Sequence, residues 1–447
     1  MNILHYTLGL PPIARGGLTK YVVDLLTEQV QTGHCVSVLW PGTILTFKGA
    51  TKIKKCHNQY GATIYEIVNP LPLPQIYGIK DFEIYTKKGD INIYLAFLKQ
   101  INPQVIHMHT LMGIHQEFLM AAKKLNIKIV FTSHDYFGIC PKTTLFYNGT
   151  FCKNAMICED CVACNQHALS KNKILILQSR IYQITKGTKL MSIIRRNKKQ
   201  KLFNCLDSET KQEAISPNNG KSNDYISLRK FYTKTFELID TFHFNSTQAE
   251  KNYSAYIKPQ NSAVVNITHA NIENNRQIKK RNAKLKLSYL GAIAHSKGFF
   301  SLKSALDKLY NEGFTNFELN IYSYIDEESP YINVHRPYKY CELKNVMNNT
   351  DLLIVPSFES FGFTVLEGLS YGCPVLVTQN VGAKDLIKNE VTGFICNYTY
   401  EDIKCTLKKI LLNPERLSDV NKNIVEDMHI KAIKEHALDI ETLVYQI

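Results

Sequence analysis

The 447-residue sequence has no run of about twenty apolar residues, the length a helix needs to cross a bilayer. No transmembrane helix is therefore expected. Residues Met1 to Tyr6 lead straight into a strand-like segment. A basic stretch followed by an apolar one is missing there, so a signal peptide is not expected and a cytoplasmic location is. Acidic residues are in short supply: 39 Asp and Glu against 53 Lys and Arg leave a formal net charge of +14. Such a balance suits nucleic acid, an anionic membrane leaflet or phosphorylated ligands, or is simply a solvated, lysine-rich surface. No aromatic-interleaved RNA motif and no helix-turn-helix pattern accompanies it, which argues against nucleic acid. No internal repeat of solenoid length occurs. Without a secretory segment, the 12 cysteines do not read as a disulfide framework.

What is present is globular: 45% hydrophobic and 21% charged residues. The length exceeds one ordinary core, so two domains are expected. Strand signals at Ile3–Tyr6, Val36–Trp40, Val105–His109 and Ile127–Thr132 alternate with helical periodicity at Leu18–Gln31 and Gln116–Lys124. The same alternation returns with strands Leu285–Leu290, Phe317–Tyr322, Leu352–Val355 and Val375–Thr378, and helices Ser301–Leu309 and Phe363–Ser370. Alternation of this kind implies an α/β class with two Rossmann-like, doubly wound parallel sheets. The expected domains are 1–268 and 269–425, with 426–447 as a closing amphipathic helix. The first domain carries a helical insertion at about 165–245, with a polar break over Ser216–Asn223 and a mobile loop.

The strongest chemical signal runs from Pro356 to Gly368. A strand ends at Val355, a tight loop follows, and a helix begins after Gly362. Open α/β sheets bind ligands at the C-terminal ends of their strands. The free N–H groups of a helix start favour a phosphate, and Gly362 lets the backbone come close. Glu359 lies before the helix and Glu367 within it, so the two carboxylates can meet opposite ends of an elongated ligand rich in hydroxyls. A second strand–turn–helix signal, Tyr289 to Gly298, contains Gly291 and Lys297. Lys297 is placed to neutralise a departing pyrophosphate. A third, Ala14-Arg15-Gly16-Gly17-Leu18, opens a helix where backbone can approach a phosphate or an acceptor. A fourth, Phe131 to Tyr136, ends a strand with His134-Asp135; His107 and His109, on the preceding strand, are weaker cleft candidates.

Two glutamates with seven residues between them, after a strand ending Val-Pro-Ser, resemble the signature of retaining glycosyltransferases of family 4 (group 1). Those have the GT-B architecture, and the resemblance covers most of the chain outside the insertion. It implies that Glu359 contacts donor-sugar hydroxyls and that Glu367 holds the ribose of the nucleotide. Gly362, Phe363 and Thr364 would offer backbone groups to the donor phosphates, with Gly291, Gly16 and Gly17 also at the donor site. His134 would face the donor sugar, giving a hydrogen bond to a sugar hydroxyl or orienting the acceptor. The implied co-substrate is a UDP- or GDP-linked sugar, without a catalytic metal, and attack is from the front face. The implied function is transfer of a hexose or N-acetylhexosamine to a glycan or lipid-linked acceptor in cell-surface polysaccharide synthesis. The family often has a basic residue after the first glycine of the Tyr289 motif; this sequence has Ala292, which leaves Arg15 or His295 as replacements. That departure keeps a catalytically silent scaffold or binding protein as the competing reading.

Two further features stand outside these motifs. Cys158-x2-Cys161-x2-Cys164, with Cys152 and Cys140 nearby, has the spacing of a structural zinc site. Cys152, Cys158, Cys161 and Cys164 are the expected ligands, Cys140 is the reserve, and an iron–sulfur cluster has similar spacing. The stretch Lys186–Lys201 carries seven basic residues and no acid, and follows a mostly uncharged segment from Ile174. It reads as a basic, surface-seeking element suited to the anionic inner face of a membrane.

Overall fold

The computed structural model describes all residues except 46–49, 75–77, 148, 153–158, 186–218, 281–282, 326–328 and 447. The basic run at 186–201 and Cys158 therefore lie outside the described residues.

The first sheet is built from β1 (Asn2–Tyr6), β2 (Cys35–Pro41), β3 (Lys52–Lys55), β4 (Thr63–Val68), β5 (Val105–Met108), β6 (Lys128–Ser133), and, after a two-stranded hairpin of β7 (Phe146–Tyr147) and β8 (Thr150–Phe151), β9 (Thr241–Phe244) and β10 (Ser262–Val264). Its order is β10-β9-β6-β5-β1-β2-β4-β3. All pairs are parallel except β3 with β4. β1, β5 and β9 are buried along almost their whole length, as strands covered by helices on both faces must be. The second sheet holds β11 (Leu285–Tyr289), β12 (Phe317–Tyr322), β13 (Ile332–His335), β14 (Leu352–Val355), β15 (Val375–Thr378) and β16 (Phe394–Cys396). Its order is β13-β12-β11-β14-β15-β16, all parallel.

Each sheet reverses its winding once, between β1 and β5 in the first and between β11 and β14 in the second. A crevice opens at the strand ends on either side of such a switch point. The loops after β1, β11 and β14 are those carrying the three glycine-bearing motifs. Helix Gly17–Gln31 buries Tyr21, Val22, Leu25, Leu26 and Gln29, a stripe at helical spacing.

Two local expectations are corrected. Residues 219–223 of the polar break already belong to helix Asn219–Phe236. The C-terminal stretch is not one helix. Helix Arg416–Asp427 stops, and Arg276 donates to the Ile424 carbonyl at its end (2.8 Å). A new helix, Ile433–Asp439, starts where Glu435 accepts from the Ala432 N–H (2.9 Å), one half of a capping box. It continues as a π-helical turn over Ile440–Tyr445. This last segment packs against helix Gly17–Gln31 and the first sheet. Tyr445 is fully buried there, bonded to His107, and Glu441 meets His34 at 2.9 Å.

Candidate active site

The two loops at the switch point of the second sheet touch through their backbones. Gly298 has φ +70°, and a Cβ there would sit 2.1 Å from the Pro356 carbonyl oxygen. Only glycine satisfies both the left-handed backbone and that approach. Phe358 N–H donates to the Ser296 carbonyl at 2.9 Å, fixing one loop against the other. Tyr289 closes the turn from below, with the Ala292 carbonyl 2.7 Å and the Lys297 carbonyl 3.2 Å from its hydroxyl. Burial and the nearby Glu359 raise the Tyr289 pKa well above its ordinary range, so the phenol stays protonated. A side chain at Gly291 would collide with that hydroxyl.

This framework brings together Lys297 and Glu359, which form an ion pair. Both are partly open to solvent, so the pair can exchange partners when a charged ligand arrives. Gly362, at φ +104°, starts helix Phe363–Ser370, whose N-terminus carries no side-chain cap. Its first N–H groups, at Phe363 and Thr364, have no intrahelical acceptor, as in any helix start. One turn further, Glu367 lies 3.5 Å from His269. The ring of His269 packs edge-on against Phe363 and Tyr340 (5.1 and 6.0 Å), and its Nδ1 is buried without a hydrogen-bond partner among the described residues.

The first domain supplies the opposite wall. A Cβ on Gly17 would stand 3.3 Å from the Phe363 ring, so the glycine loop faces the helix start directly. Gly16 precedes it as the N-cap, at φ +131°, a backbone conformation that favours glycine. Arg15 is exposed on that loop; His295 stacks on Phe300 at 4.4 Å. Ser360 ties the walls together. Its hydroxyl donates to the His134 carbonyl at 2.6 Å and receives Asn245 Nδ2 at 3.3 Å. Ser246 donates to the Ser360 carbonyl at 2.5 Å. Asp385 accepts from both the N–H and the hydroxyl of Thr247, each at 2.6 Å. Phe358 reaches across to Phe146 and Phe151 (4.8 and 5.1 Å).

His134 lies at this seam, 4.9 Å from the Tyr21 ring, with Nε2 3.2 Å from His109 Nδ1. Burial pushes its pKa down to about 3, so it is neutral. Asp135 next to it is raised to about 6, mainly by burial, against a hydrogen bond from the Phe137 N–H. His107 and His109 do not line the cleft: they are 0% and 1% exposed and belong to the interior. His107 lies in β5, buried along its whole length, and His109 follows directly after it.

Sequence reasoning missed Ser360, Asn245, Ser246 and His269. Ser360 stands beside a glutamate that the motif did pick out, but its partners are more than a hundred residues away. Of the cysteines, Cys140, Cys152, Cys161 and Cys164 line one hollow with Arg229 and Tyr256. Arg229 approaches Cys161 Sγ at 3.6 Å.

Residues 271–427 match the family model for glycosyl transferases group 1, and residues 15–154 match that for Glycosyltransferase Family 4. An alpha-1,3/1,6-mannosyltransferase of Dictyostelium discoideum is 31% identical over 105 residues, which is 23% of this chain and 24% of that protein. The match thus spans about a quarter of that relative's length. Two solved structures share the whole fold. A sucrose-phosphate synthase from Thermosynechococcus elongatus superposes with TM-score 0.59 at 13% identity, over 99% of this chain and 98% of that one. The HepE protein of Anabaena, solved in complex with UDP, gives 0.57 at 11% identity over 100% of both chains.

Proposed function

The chain belongs to the group 1 glycosyltransferases of family 4, with the GT-B architecture, and we propose that it moves a sugar from a nucleotide-sugar donor to a hydroxyl acceptor with retention of the anomeric configuration. The observation that carries this reading is the Lys297–Glu359 pair at the switch point, beside the uncapped helix start at Gly362. Cleaving a glycosyl phosphate builds positive charge on the sugar ring and negative charge on the leaving diphosphate. Lys297 and the N–H groups of Phe363 and Thr364 stabilise the second. Glu359, released from Lys297 by the incoming phosphates, stabilises the first and holds sugar hydroxyls. Glu367, one turn along, holds the ribose, with His269 and Tyr340 beside it. The bond to the acceptor oxygen forms on the face from which the diphosphate leaves, and that diphosphate takes the acceptor's proton. UDP bound to the Anabaena structure favours a uridine nucleotide; the mannosyltransferase relative favours a hexose.

The acceptor is a glycan or lipid-linked sugar of cell-surface polysaccharide synthesis. Supporting this, Ile176 and Ile181 are 60% and 68% exposed, and Lys171, Lys173 and Arg180 share their two short helices. Exposed apolar side chains among cations suit an anionic leaflet. Flotation with liposomes should rise with anionic lipid; indifference to lipid charge would count against the contact. The cysteines are a proposed structural zinc site, for which Cys152, Cys161 and Cys164 share a hollow with Cys140; elemental analysis giving no zinc would remove it.

Thermal unfolding with UDP, GDP, ADP and CMP tests the donor site. One nucleotide should raise the melting temperature of the wild type by mass action and leave Glu367→Ala unmoved. If none stabilises the wild type, the silent-scaffold reading gains, with Ala292 as its cause. Retention is read separately, from the anomeric configuration of the product.

A further inference from the structure

Behind His134 the first domain buries His5, His107, His109 and His243. Strand register gathers them: His5 pairs with His107 across β1 and β5, and Thr132 with His243 across β6 and β9. Their side chains form one unbranched run of hydrogen bonds. From the seam inward, His134 Nε2 meets His109 Nδ1 (3.2 Å), and His109 Nε2 meets His5 Nδ1 (2.9 Å). His5 Nε2 meets Gln29 Oε1 (2.7 Å), and Gln29 Nε2 meets the Tyr445 hydroxyl (3.1 Å). Tyr445 meets His107 Nδ1 (2.8 Å), and His107 Nε2 meets Thr132 Oγ1 (2.6 Å). Thr132 meets His243 Nδ1 (2.8 Å), and His243 Nε2 ends the run on the Val265 carbonyl (2.8 Å).

The inner end fixes every proton in the run. A carbonyl only accepts, so His243 carries its proton on Nε2. A neutral imidazole then accepts at Nδ1, which makes Thr132 the donor there and the acceptor from His107 Nε2–H. The same step repeats through Tyr445, Gln29, His5 and His109, and reaches His134 as an Nε2–H donor. Reversing the outer or the inner part would leave either two facing donors, two facing lone pairs or a cationic His243. Burial disfavours the cation: His5 and His243 are pushed down to about 4, and His107 and His109 well below their ordinary value.

We infer that this run is a positioning relay, which locks His134 in the Nε2-protonated form and leaves its Nδ1 as an acceptor for a substrate hydroxyl. The ring is then a hydrogen-bond acceptor toward substrate, in place of the donor role that is one of the two expected from sequence. Gln29, Tyr445, Thr132 and the four inner histidines act through His134 and touch no substrate. The inference rests on the donor-site reading only for the word substrate. The tautomers themselves do not depend on it. His5, His107 and His109 also lie close enough together to share a metal ion, but their ring nitrogens are already engaged in the run.

Long-range proton–nitrogen correlation on the full chain labelled with 15N-histidine reads each tautomer. His5, His107, His109, His134 and His243 should each show one protonated nitrogen, Nε2. Tyr445→Phe then cuts the relay at a single oxygen. His107 and His243 stay anchored to Val265 and should keep their pattern, although His107 is the ring that touched the lost hydroxyl. His5, His109 and His134 lose their anchor and should become tautomer mixtures, with kcat falling about threefold to tenfold and the Kd for UDP unchanged. If that variant does not fold, Gln29→Leu cuts the same joint. A local packing defect would instead disturb His107 first and spare His134, which overturns the relay. So would Nδ1–H at His134 in the wild type, or one equivalent of metal bound with two of the rings deprotonated toward it. Loss of the donor reading looks different: the Nε2 pattern persists and no nucleotide binds.

Discussion

On the C-terminal wall of the cleft, among the described residues, Lys297 pairs only with Glu359 and the helix at Gly362 has no side-chain cap. On the N-terminal wall, eight consecutive hydrogen bonds use both nitrogens of every histidine from His109 to His243. The difference follows from what each wall must do. A surface that receives a diphosphate needs donors left open, and the solvent that reaches Lys297 and Glu359 keeps their cost low until the ligand arrives. A run that only orients one ring gains from having each of its own buried polar atoms matched, because an unmatched one costs about 1–3 kcal/mol. Binding capacity sits where the structure is unfinished, and orientation where it is finished.

That contrast can be broken at three levels. The largest effect is expected at Lys297. Lys297→Ala should lower kcat about 100- to 1,000-fold, the range for losing one preorganised charge or donor, with almost no change in melting temperature. A loss below tenfold would mean that another cation, such as Arg15, faces the diphosphate. Next comes pH. His5 and His243 hold folded pKa values near 4 and His134 near 3, below the unfolded value of about 6.5. Their contribution is therefore complete above pH 6.5 and is lost as pH falls toward 4, because the unfolded chain takes up protons that the folded chain refuses. Each costs about 1.4 kcal/mol per pH unit inside that window. Asp135, raised to about 6, works in the opposite sense and gains as pH falls below 6, but it is one group against several. Denaturant titrations at pH 7, 6 and 5 should show stability dropping steadily, and a flat profile would sink the idea of a neutral buried cluster. The smallest effect belongs to the contact between the walls. Gly17→Ala places a methyl 3.3 Å from the Phe363 ring, a crowding that should raise the donor KM about twofold to fivefold and leave kcat nearly intact. Equal losses in both would show that the glycine serves the chemical step.

The same contrast explains what could be read in advance. Lys297, Glu359, Gly362 and Glu367 each lie within a short strand–turn–helix segment, where local spacing fixes the geometry. The central strands and helix Gln116–Lys124 were equally legible, because apolar runs between turn residues have few other uses. The histidine relay was not. His5, Gln29, His107, Thr132, His243 and Tyr445 have no common spacing, and only parallel register and the returning C-terminal segment bring them together. Two edge strands do not stand out: β3 has one apolar residue, Ile53, among lysines, and β16 is only 3 residues long. The break between Asp427 and Ile433 depends on a reach-back by Glu435 and on Arg276 from another part of the chain, neither of which a hydrophobic pattern records.

The placement of Tyr445 has a consequence for synthesis. Translation delivers β1 and β5 hundreds of residues before the phenol that completes the interior behind them. Until Tyr445 has been made, His107 and Gln29 lack that partner, so the first domain emerges with an open flank and closes only after the second has been made. Deleting the segment Ile440–Tyr445 should therefore harm the half of the protein that was translated first.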